Sequence, residues 1–344
     1  MPNPILVTLS RGRLVESFHR GAIALADANG NLVLEIGDVL HPVFPRSAIK
    51  VLQALPLVES GAADAAGFAN MELALACASH SGEPVHARTA RAMLEKIGLA
   101  PEALACGPQW PLESGVARKL ARTGEEPTAL HNNCSGKHAG MLALSQYLGF
   151  DVQGYERPDH PVQSRIRKTL ENLTGEKLIG DVCGIDGCSV PTWAASLTGY
   201  ARAFAKLANK DQLENERRQA ADRLMQACAN EPQMVEGEGR FGTGVMRRLG
   251  NAAFVKGGAE GVYCAAFPEQ GLGLALKIDD GARRGAEAAA AFVIACVLSN
   301  RVKDVNQLMD LKIRNWRGTH VGDIAASDEL FRKLENLRAK LGTG

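Results

Sequence analysis

Residues 21–36, Gly-Ala-Ile-Ala-Leu-Ala-Asp-Ala-Asn-Gly-Asn-Leu-Val-Leu-Glu-Ile, consist of two apolar runs separated by a short polar turn. Asn29-Gly30 supplies residues that tolerate the positive φ angles of a tight turn, so the pattern predicts an antiparallel hairpin. Two further apolar runs, Ile5–Leu9 and Val15–His19, precede the hairpin. The N-terminal end of the chain is therefore predicted to form antiparallel sheet.

A similar pattern returns near the C-terminal end. Ala252–Lys256, Gly261–Phe267 and Leu272–Ile278 read as strands, and Pro268-Glu-Gln-Gly271 predicts a hairpin between the last two. An Ala-rich helix is expected from 281 to about 298, and a charged amphipathic helix from 327 to 341. The segments between these two ends that show helical patterns are 47–59, 63–78, 85–97, 115–122, 138–148, 160–174, 190–207 and 211–228.

Strands at both ends around a helical middle predict an α+β fold, not the alternation of strands and helices that builds a parallel sheet. One catalytic domain is expected over residues 1–344, with sheet parts at about 4–44 and 250–344 and a helical part at about 45–249. Gly237–Gly242 matches the G-x-G-x-x-G spacing of dinucleotide sites. A polar helical stretch precedes it where such a site needs a strand, so a dinucleotide site is not expected.

Composition excludes several classes of partner. The 39 Lys and Arg residues balance 38 Asp and Glu residues, which disfavours nucleic acid and anionic membranes as partners. No apolar run approaches the ~18 residues of a membrane span, and no basic segment precedes the first apolar run. We therefore expect a cytoplasmic protein with reduced thiols and a small-molecule substrate. Four of the eight cysteines are expected to be core filler, Cys77, Cys228, Cys264 and Cys296.

Ser47-Ala-Ile-Lys50 is a candidate nucleophile motif at the start of a predicted helix. One helical turn places the serine hydroxyl and the lysine amine on the same face. A lysine in a partly apolar pocket can lose its proton near neutral pH and accept the serine's proton as the serine attacks a carbonyl. The alternative is an N-cap serine followed by an exposed lysine.

Ser79 and Lys256 extend this motif. Ser79 ends a predicted helix, and Lys256-Gly-Gly258 ends a predicted strand. Penicillin-recognising serine hydrolases carry S-x-x-K, a second serine motif and a strand K-T-G in this chain order. The alternative is a polar residue at a helix end and a solvated lysine at a strand end.

Sulfur chemistry is suggested by two glycine-containing loops. His131-Asn-Asn-Cys-Ser-Gly-Lys-His138 and Cys183-Gly-Ile-Asp-Gly-Cys188 place thiols beside Lys, His or Asp. Such neighbours lower the pKa of a thiol and favour metal binding. Cys134 and Cys188 are the candidate ligands, with His138 or Asp186 completing the set, and the alternative is two core cysteines.

The sequence resembles the rhizobial-type (class 3) L-asparaginases over most of its length. The motifs that carry the resemblance are Pro45-Arg-Ser-Ala-Ile-Lys50, Cys77-Ala-Ser-His-Ser-Gly-Glu83, Asn132-Asn-Cys-Ser-Gly-Lys-His-Ala-Gly-Met141, Asp186-Gly-Cys-Ser-Val-Pro191 and Lys256-Gly-Gly-Ala-Glu-Gly-Val262. The resemblance implies a serine β-lactamase/glutaminase-like fold, a homodimer, and hydrolysis of L-asparagine to L-aspartate and ammonia.

The resemblance also implies roles for single residues. Ser47 would be the nucleophile with Lys50 as its base, and Ser79 with Lys256 a second pair that assists proton transfer. Substrate contacts would come from Arg46, His138 and Asp186. One Zn²⁺ per subunit would be held by Cys134, Lys137, Cys188 and a water molecule. This set has Lys137 where the residues alone favour His138 or Asp186. They do not favour Lys137, because a lysine ligand must lose its proton and is rare. The alternatives are a glutaminase, a β-lactamase-like amidohydrolase, and a non-catalytic zinc or small-molecule binding protein.

Overall fold

A computed structural model describes residues 2–301 and 311–342 of the chain. The chain forms two compact units, each assembled from separate segments. The first unit comprises Met1–Val43, Ala195–Asn209 and Val255–Gly344, and the second comprises Phe44–Ala194 and Lys210–Phe254. A single catalytic domain over the whole chain stays a prediction.

The strands include four that the sequence patterns do not predict, β4, β5, β9 and β10. The strands are β1 (Ile5–Arg11), β2 (Leu14–Asp27), β3 (Leu32–Ile36), β4 (Cys183–Ile185), β5 (Pro191–Trp193), β6 (Phe254–Gly257), β7 (Val262–Phe267), β8 (Leu272–Ile278), β9 (Lys312–Arg314) and β10 (His320–Ala326).

Helices account for most of the second unit. The helices are α1 (Lys50–Glu59), α2 (Ala62–Ala65), α3 (Asn70–Ala76), α4 (Pro84–Lys96), α5 (Ser114–Thr123), α6 (Ser135–Tyr147), α7 (Pro161–Thr174), α8 (Leu197–Ala208), α9 (Asn215–Asn230), α10 (Pro232–Glu236), α11 (Phe241–Leu249), α12 (Arg283–Val297) and α13 (Asp328–Lys340). Within 2–301 and 311–342, no helix combines the length and the apolar character needed to cross a membrane.

The sheet of the first unit is built from both ends of the chain. Its strand order is β6-β7-β8-β2-β1-β10-β9, and β3 also pairs with β2. Strand β2 pairs antiparallel with β8, from Gly21 opposite Ile278 to Asp27 opposite Leu272. The predicted α+β class, with an antiparallel sheet from the N- and C-terminal strands, is confirmed.

The predicted hairpin at Asn29-Gly30 is also confirmed. Gly30 has φ of 89°, a left-handed conformation that costs glycine little. The Asp27 carboxylate accepts the backbone N–H groups of Asn29 and Asn31, both at 2.9 Å. These bonds close the turn between β2 and β3, which aligns Ile23 with Ile36.

Two predicted helices are wrong in extent. The segment 63–78 is interrupted by Gly67, whose left-handed φ of 65° ends α2 before α3 begins. The segment 190–207 begins with strand β5, and its helix starts only at Leu197. There the Ser196 hydroxyl caps the helix by accepting the N–H of Gly199 at 2.9 Å.

The expected core cysteines are confirmed as core residues. Cys77, Cys228, Cys264 and Cys296 are buried. None of the four forms a disulfide with another described residue, so each serves as a small apolar side chain of the core. The remaining cysteines include Cys134 and Cys188, which are buried in the second unit.

Candidate active site

Ser47 lies in a single turn of 3₁₀ helix, Arg46–Ile49, immediately before α1. Lys50 is the first residue of α1, three residues after Ser47. Arg46 has φ of 50°, a left-handed conformation that costs a non-glycine residue about 1–3 kcal/mol. Both Nε and Nη2 of Arg46 bind Asp186 Oδ1, at 2.9 and 2.8 Å, and this ion pair helps to hold the strained residue in place.

Lys50 is buried, and its amine has two hydrogen-bond partners. Nζ donates to the carbonyl oxygen of Ala78 at 2.6 Å and lies 3.0 Å from Cys134 Sγ. Among the residues described, Ser47 is not a hydrogen-bond partner of Lys50. The amine therefore joins the S-x-x-K turn to the segment before Ser79 and to the sulfur loops.

Ser79 and Lys256 belong to different units. Ser79 follows α3, is partly exposed, and donates its backbone N–H to Val235 O at 2.8 Å. Lys256 lies on β6 in the first unit, where it is buried and donates to the carbonyl of Gly257 at 2.7 Å. The predicted pairing of Ser79 with Lys256 stays a prediction.

The two sulfur loops meet in the interior of the second unit. Cys134 precedes α6, and the side-chain oxygen of Asn132 accepts its backbone N–H at 2.9 Å. Lys137 extends from the first turn of α6 and donates to Cys188 Sγ at 3.0 Å. The thiols of Cys134 and Cys188 hydrogen-bond to each other. All three side chains are buried, so the predicted loops do converge.

Charge is distributed unevenly in this cluster. The hydrogen bond from Cys134 and the charge of Lys137 hold the pKa of Cys188 well below its ordinary value, although burial opposes them. The same hydrogen bond and burial raise the pKa of Cys134. The nearby sulfur atoms raise the pKa of Lys137 against the effect of its burial. These shifts favour a negative charge on Cys188 and a retained proton on Lys137 and on Cys134.

The donor set suits zinc. Two sulfur atoms and one amine nitrogen belong to side chains that are buried together, and thiolate ligands select soft or borderline ions. The described residues contain no group of three or more His, Cys, Asp or Glu side chains that could share a metal ion. A zinc ion here would therefore take Lys137 as its third protein ligand, after Lys137 and Cys134 had lost their protons.

Asp186, a candidate metal ligand from the sequence, forms an ion pair. Asp186 pairs with Arg46 and accepts the N–H of Gly187 at 2.7 Å. Burial raises the pKa of Asp186, but the bond from Arg46 and the charge of Lys137 outweigh burial and lower it. Asp186 is a carboxylate held by a guanidinium.

His138 is fully buried next to Lys137 in α6. Its Nδ1 lies 2.6 Å from the hydroxyl of Tyr155, while its Nε2 has no hydrogen-bond partner among the residues described. Burial and the charge of Lys137 lower its pKa to about 3, so the ring is neutral. A neutral imidazole with an unpaired nitrogen can contact a substrate or an ion. His138 therefore remains a candidate both for substrate binding and for metal binding.

Gly136 sets the distance between α6 and α3. A Cβ atom at this position would lie 2.3 Å from the carbonyl oxygen of Leu75 and 2.4 Å from its Cγ. Helix α6 begins at Ser135, and α3 leads into Cys77 and Ser79. The absence of a side chain at Gly136 therefore lets the lysine and cysteine loop approach the segment that carries Ser79.

We expect Gly136→Ala to destabilise the protein by about 3 kcal/mol or more, because a backbone carbonyl cannot move aside as a flexible side chain can. Chemical unfolding monitored by circular dichroism measures this loss. Gly187→Ala is the matched control, because a Cβ there meets no atom within 4 Å. Equal stability of the Gly136 variant and the parent would contradict the close approach.

The sequence analysis missed a buried carboxylate beside Ser79. Glu83 accepts hydrogen bonds from the backbone of Glu238 at 2.7 Å, the hydroxyl of Ser81 at 2.8 Å and the amide of Gln233 at 2.9 Å. Burial raises its pKa, but these bonds outweigh burial and hold the pKa below its ordinary value of 4.5. The capping position before Pro84 was the only local signal for this residue.

The lowered pKa of Glu83 predicts an acid-sensitive contribution to stability. Its stabilisation is present above the ordinary carboxyl pKa and is lost as pH falls through the lower pKa of the folded protein. We expect Glu83→Gln to be less stable than the parent at neutral pH and the difference to shrink between about pH 5 and pH 3. Urea unfolding across this range tests it. Exposed Glu102→Gln is the control, and a constant difference would contradict the prediction.

Comparisons with known proteins identify the family. A family model described as L-asparaginase II matches residues 7–326. No curated protein matches the sequence. Among solved structures, a β-lactamase from Mycobacterium bovis is similar with a TM-score of 0.41 and 14% identity, over 80% of this chain and 94% of that one.

Two further structures are similar at comparably low sequence identity. A putative β-lactamase from Bacteroides dorei has a TM-score of 0.39 and 15% identity, over 75% of this chain and 84% of that one. Simvastatin synthase from Aspergillus terreus has a TM-score of 0.36 and 11% identity, over 75% and 87%. Because the family model spans nearly the whole sequence, the chain belongs to the L-asparaginase II family.

Proposed function

We propose that the protein is an L-asparaginase that hydrolyses L-asparagine to L-aspartate and ammonia. Membership of the L-asparaginase II family implies an amidohydrolase that acts on a small molecule. The observation that carries the specific proposal is the turn at Ser47. A partly exposed serine follows a strained, ion-paired Arg46 and lies one turn before a buried lysine.

The proposed reaction is a double displacement. Ser47 Oγ attacks the side-chain amide carbon of asparagine, and its proton passes to the side-chain amine of Lys50, which acts as the base. The tetrahedral intermediate collapses, the C–N bond breaks, and the leaving nitrogen takes the proton and departs as ammonia. Water then adds to the aspartyl ester, the ester C–O bond breaks, and the proton of the water returns to Ser47. The backbone N–H of Ser47 is the proposed donor to the oxyanion.

Substrate recognition is assigned to the charged pair beside Ser47. Asparagine carries an α-carboxylate and an α-ammonium group, and Arg46 and Asp186 supply the complementary charges. In the absence of substrate these side chains neutralise each other, which lowers the cost of burying them. The unpaired Nε2 of His138 is the third proposed polar contact.

Zn²⁺ is proposed as a bound ion held by Cys134, Lys137 and Cys188, with a water molecule as the fourth ligand. When bound, it would supply a fixed positive charge that attracts and orients the polar groups of the substrate. The hydrolytic steps above are assigned to the residues of the chain. Ser79 is proposed to assist proton transfer, and its pairing with Lys256 stays a prediction.

The main alternative is a glutaminase, whose substrate has one extra methylene group. A hydrophobic pocket discriminates such a difference by only ~1–3 kcal/mol, so residue types alone do not decide it. Ammonia release from asparagine and glutamine, together with cleavage of a chromogenic β-lactam, separates the candidates. Faster turnover of glutamine or of the β-lactam would overturn the proposal. No turnover of any of them would favour the non-catalytic binding protein.

A homodimer is proposed from the exposed apolar side chains of the first unit. Leu14 and Val15 begin β2 and are 77% and 63% exposed, and Trp316 in the turn between β9 and β10 is fully exposed. The N–H of Gly12 binds Val321 O at 2.9 Å, so both turns lie at the same end of the sheet. Exposed apolar clusters of this kind favour association with a second copy. A cytoplasmic location is proposed with it.

We expect Leu14→Glu combined with Trp316→Glu to convert the dimer to a monomer, because the new carboxylates would repel each other across a symmetric interface. Light scattering after size-exclusion chromatography measures the mass. Ile179→Glu, at an exposed apolar position of the second unit, is the matched control. A monomeric parent, or a dimeric double variant, would contradict the proposal.

A further inference from the structure

A pair of stacked histidines lies directly after Ser79 and has no part in the proposed reaction. His80 and His86 are fully buried, with ring centroids 4.7 Å apart and 22° between the ring planes. Each of their four ring nitrogens has a hydrogen-bond partner. When all the polar atoms of a buried group have hydrogen-bond partners, the group fixes the conformation of the surrounding chain.

The partners of His80 determine its tautomer. The backbone N–H of Gly82 donates to Nδ1 at 3.1 Å, so Nδ1 is an acceptor and carries no proton. The ring proton is therefore on Nε2, which donates to the hydroxyl oxygen of Ser135 at 2.9 Å. Burial, with the nearby His86 and Lys50, holds the pKa of His80 well below its ordinary value. The ring is therefore a neutral donor to Ser135.

The bond to Ser135 connects the two candidate site segments. Ser135 is the first residue of α6, between Cys134 and Lys137 in sequence. The backbone N–H of His80 also donates to Asn133 O, at 3.2 Å. Both the main chain and the side chain of His80 thus hold the loop of Ser79 against the start of α6.

His86 prevents the ring of His80 from turning. The backbone N–H of Glu83 donates to His86 Nδ1 at 3.0 Å, and Nε2 donates to Gln233 O at 3.0 Å. The second ring is therefore itself fixed between two segments, and it covers one face of His80. A rotation of His80 would break its bonds to Gly82 and Ser135 and separate the stacked rings.

We propose that His80 is a positioning residue, whose Nε2–H bond to Ser135 fixes Ser79 relative to the turn that carries Cys134 and Lys137. It contacts no substrate and acts through Ser79. The effect on turnover rests on the proposed function, while the mechanical coupling of the two segments does not.

Two variants separate the hydrogen bonds of His80. In His80→Gln, the side-chain amide N–H can replace Nε2–H toward Ser135, whereas in His80→Asn the side-chain oxygen can replace only Nδ1 toward Gly82. We expect kcat for asparagine to fall about tenfold in His80→Asn with KM nearly unchanged, and by less than about threefold in His80→Gln. Ser135→Ala should match His80→Asn, and the double variant should lose no more than either.

Amide hydrogen exchange supplies a readout that needs no activity. In His80→Asn and Ser135→Ala, exchange at residues 79–83 and 135–138 should speed up together, while His80→Gln should keep the exchange rates of the parent. The proposal is overturned if His80→Gln and His80→Asn lose kcat equally, if the double variant is additive, or if exchange changes in only one segment. A parent without amidase activity but with coupled exchange would refute the proposed function and leave the coupling in place.

Discussion

Replacing Ser47 with alanine is expected to reduce ammonia release from asparagine by about 10⁴-fold or more, because the loss of a nucleophile cannot be compensated by the groups that surround it. Ser47 is partly exposed, so its removal leaves the core intact and the variant should unfold at the concentration of denaturant found for the parent. A coupled assay for ammonia measures the loss. Ser114→Ala, at an exposed serine that begins α5, is the matched control and should keep full activity.

Ser79 provides a second test of the same assignment. If Ser47 is the nucleophile, acid quenching during turnover should trap an aspartyl ester on the peptide that contains Ser47, detectable by mass spectrometry. Ser79→Ala should slow the reaction while leaving the ester on Ser47. An ester found on the Ser79 peptide, or a Ser47→Ala protein that turns over at the parent rate, would reverse the roles of the two serines.

The zinc content of the protein should fall nearly to zero when either Cys134 or Cys188 is replaced. The parent, purified with zinc supplied, is expected to hold about one zinc ion per chain, and Cys134→Ser and Cys188→Ser to hold less than about a tenth of that, because two protein ligands cannot retain the ion. Elemental analysis after dialysis measures the content. Zinc should also raise the unfolding temperature of the parent and leave that of both variants unchanged.

Cys183→Ser is the matched control for the zinc prediction. Cys183 begins the hairpin whose turn contains Cys188. It is a free thiol, and its Sγ makes a weak contact with Gly184 O, at 3.7 Å. This variant should retain the zinc and the thermal shift. A parent without zinc, or equal loss in Cys183→Ser, would contradict the assignment of ligands.

Local signals in the sequence predicted most of the sheet but not its edge. Asn29-Gly30 marks a turn because its neighbours are continuous apolar runs. Strands β9 and β10 lack such runs, since Lys312–Arg314 and His320–Ala326 mix polar and apolar residues and are largely exposed. Pairing with β1, between Val7 and Ala326, is what makes β10 a strand, and no short window of sequence contains that contact.

The motifs in the sequence indicate candidate site residues but not the contacts that their side chains make. Spacing placed Ser47 and Lys50 on one side of a turn, but the amine of Lys50 binds Ala78 and Cys134 instead of Ser47. The ion pair of Arg46 with Asp186 joins residues far apart in the sequence, so it depends on the tertiary fold. His80 belongs to the same motif as Ser79, and nothing in the sequence around it predicts its hydrogen bond to the buried Ser135.

The pairing of β2 with β8 has a consequence for how the chain is made. The ribosome synthesises the chain from the N-terminus, so β2, which contains Gly21, cannot pair with β8 until Ile278 has been synthesised. The segments of the second unit are all synthesised during that interval. The first hairpin therefore emerges with an open apolar edge, which is the kind of surface that chaperones bind and that misassembles when synthesis stalls.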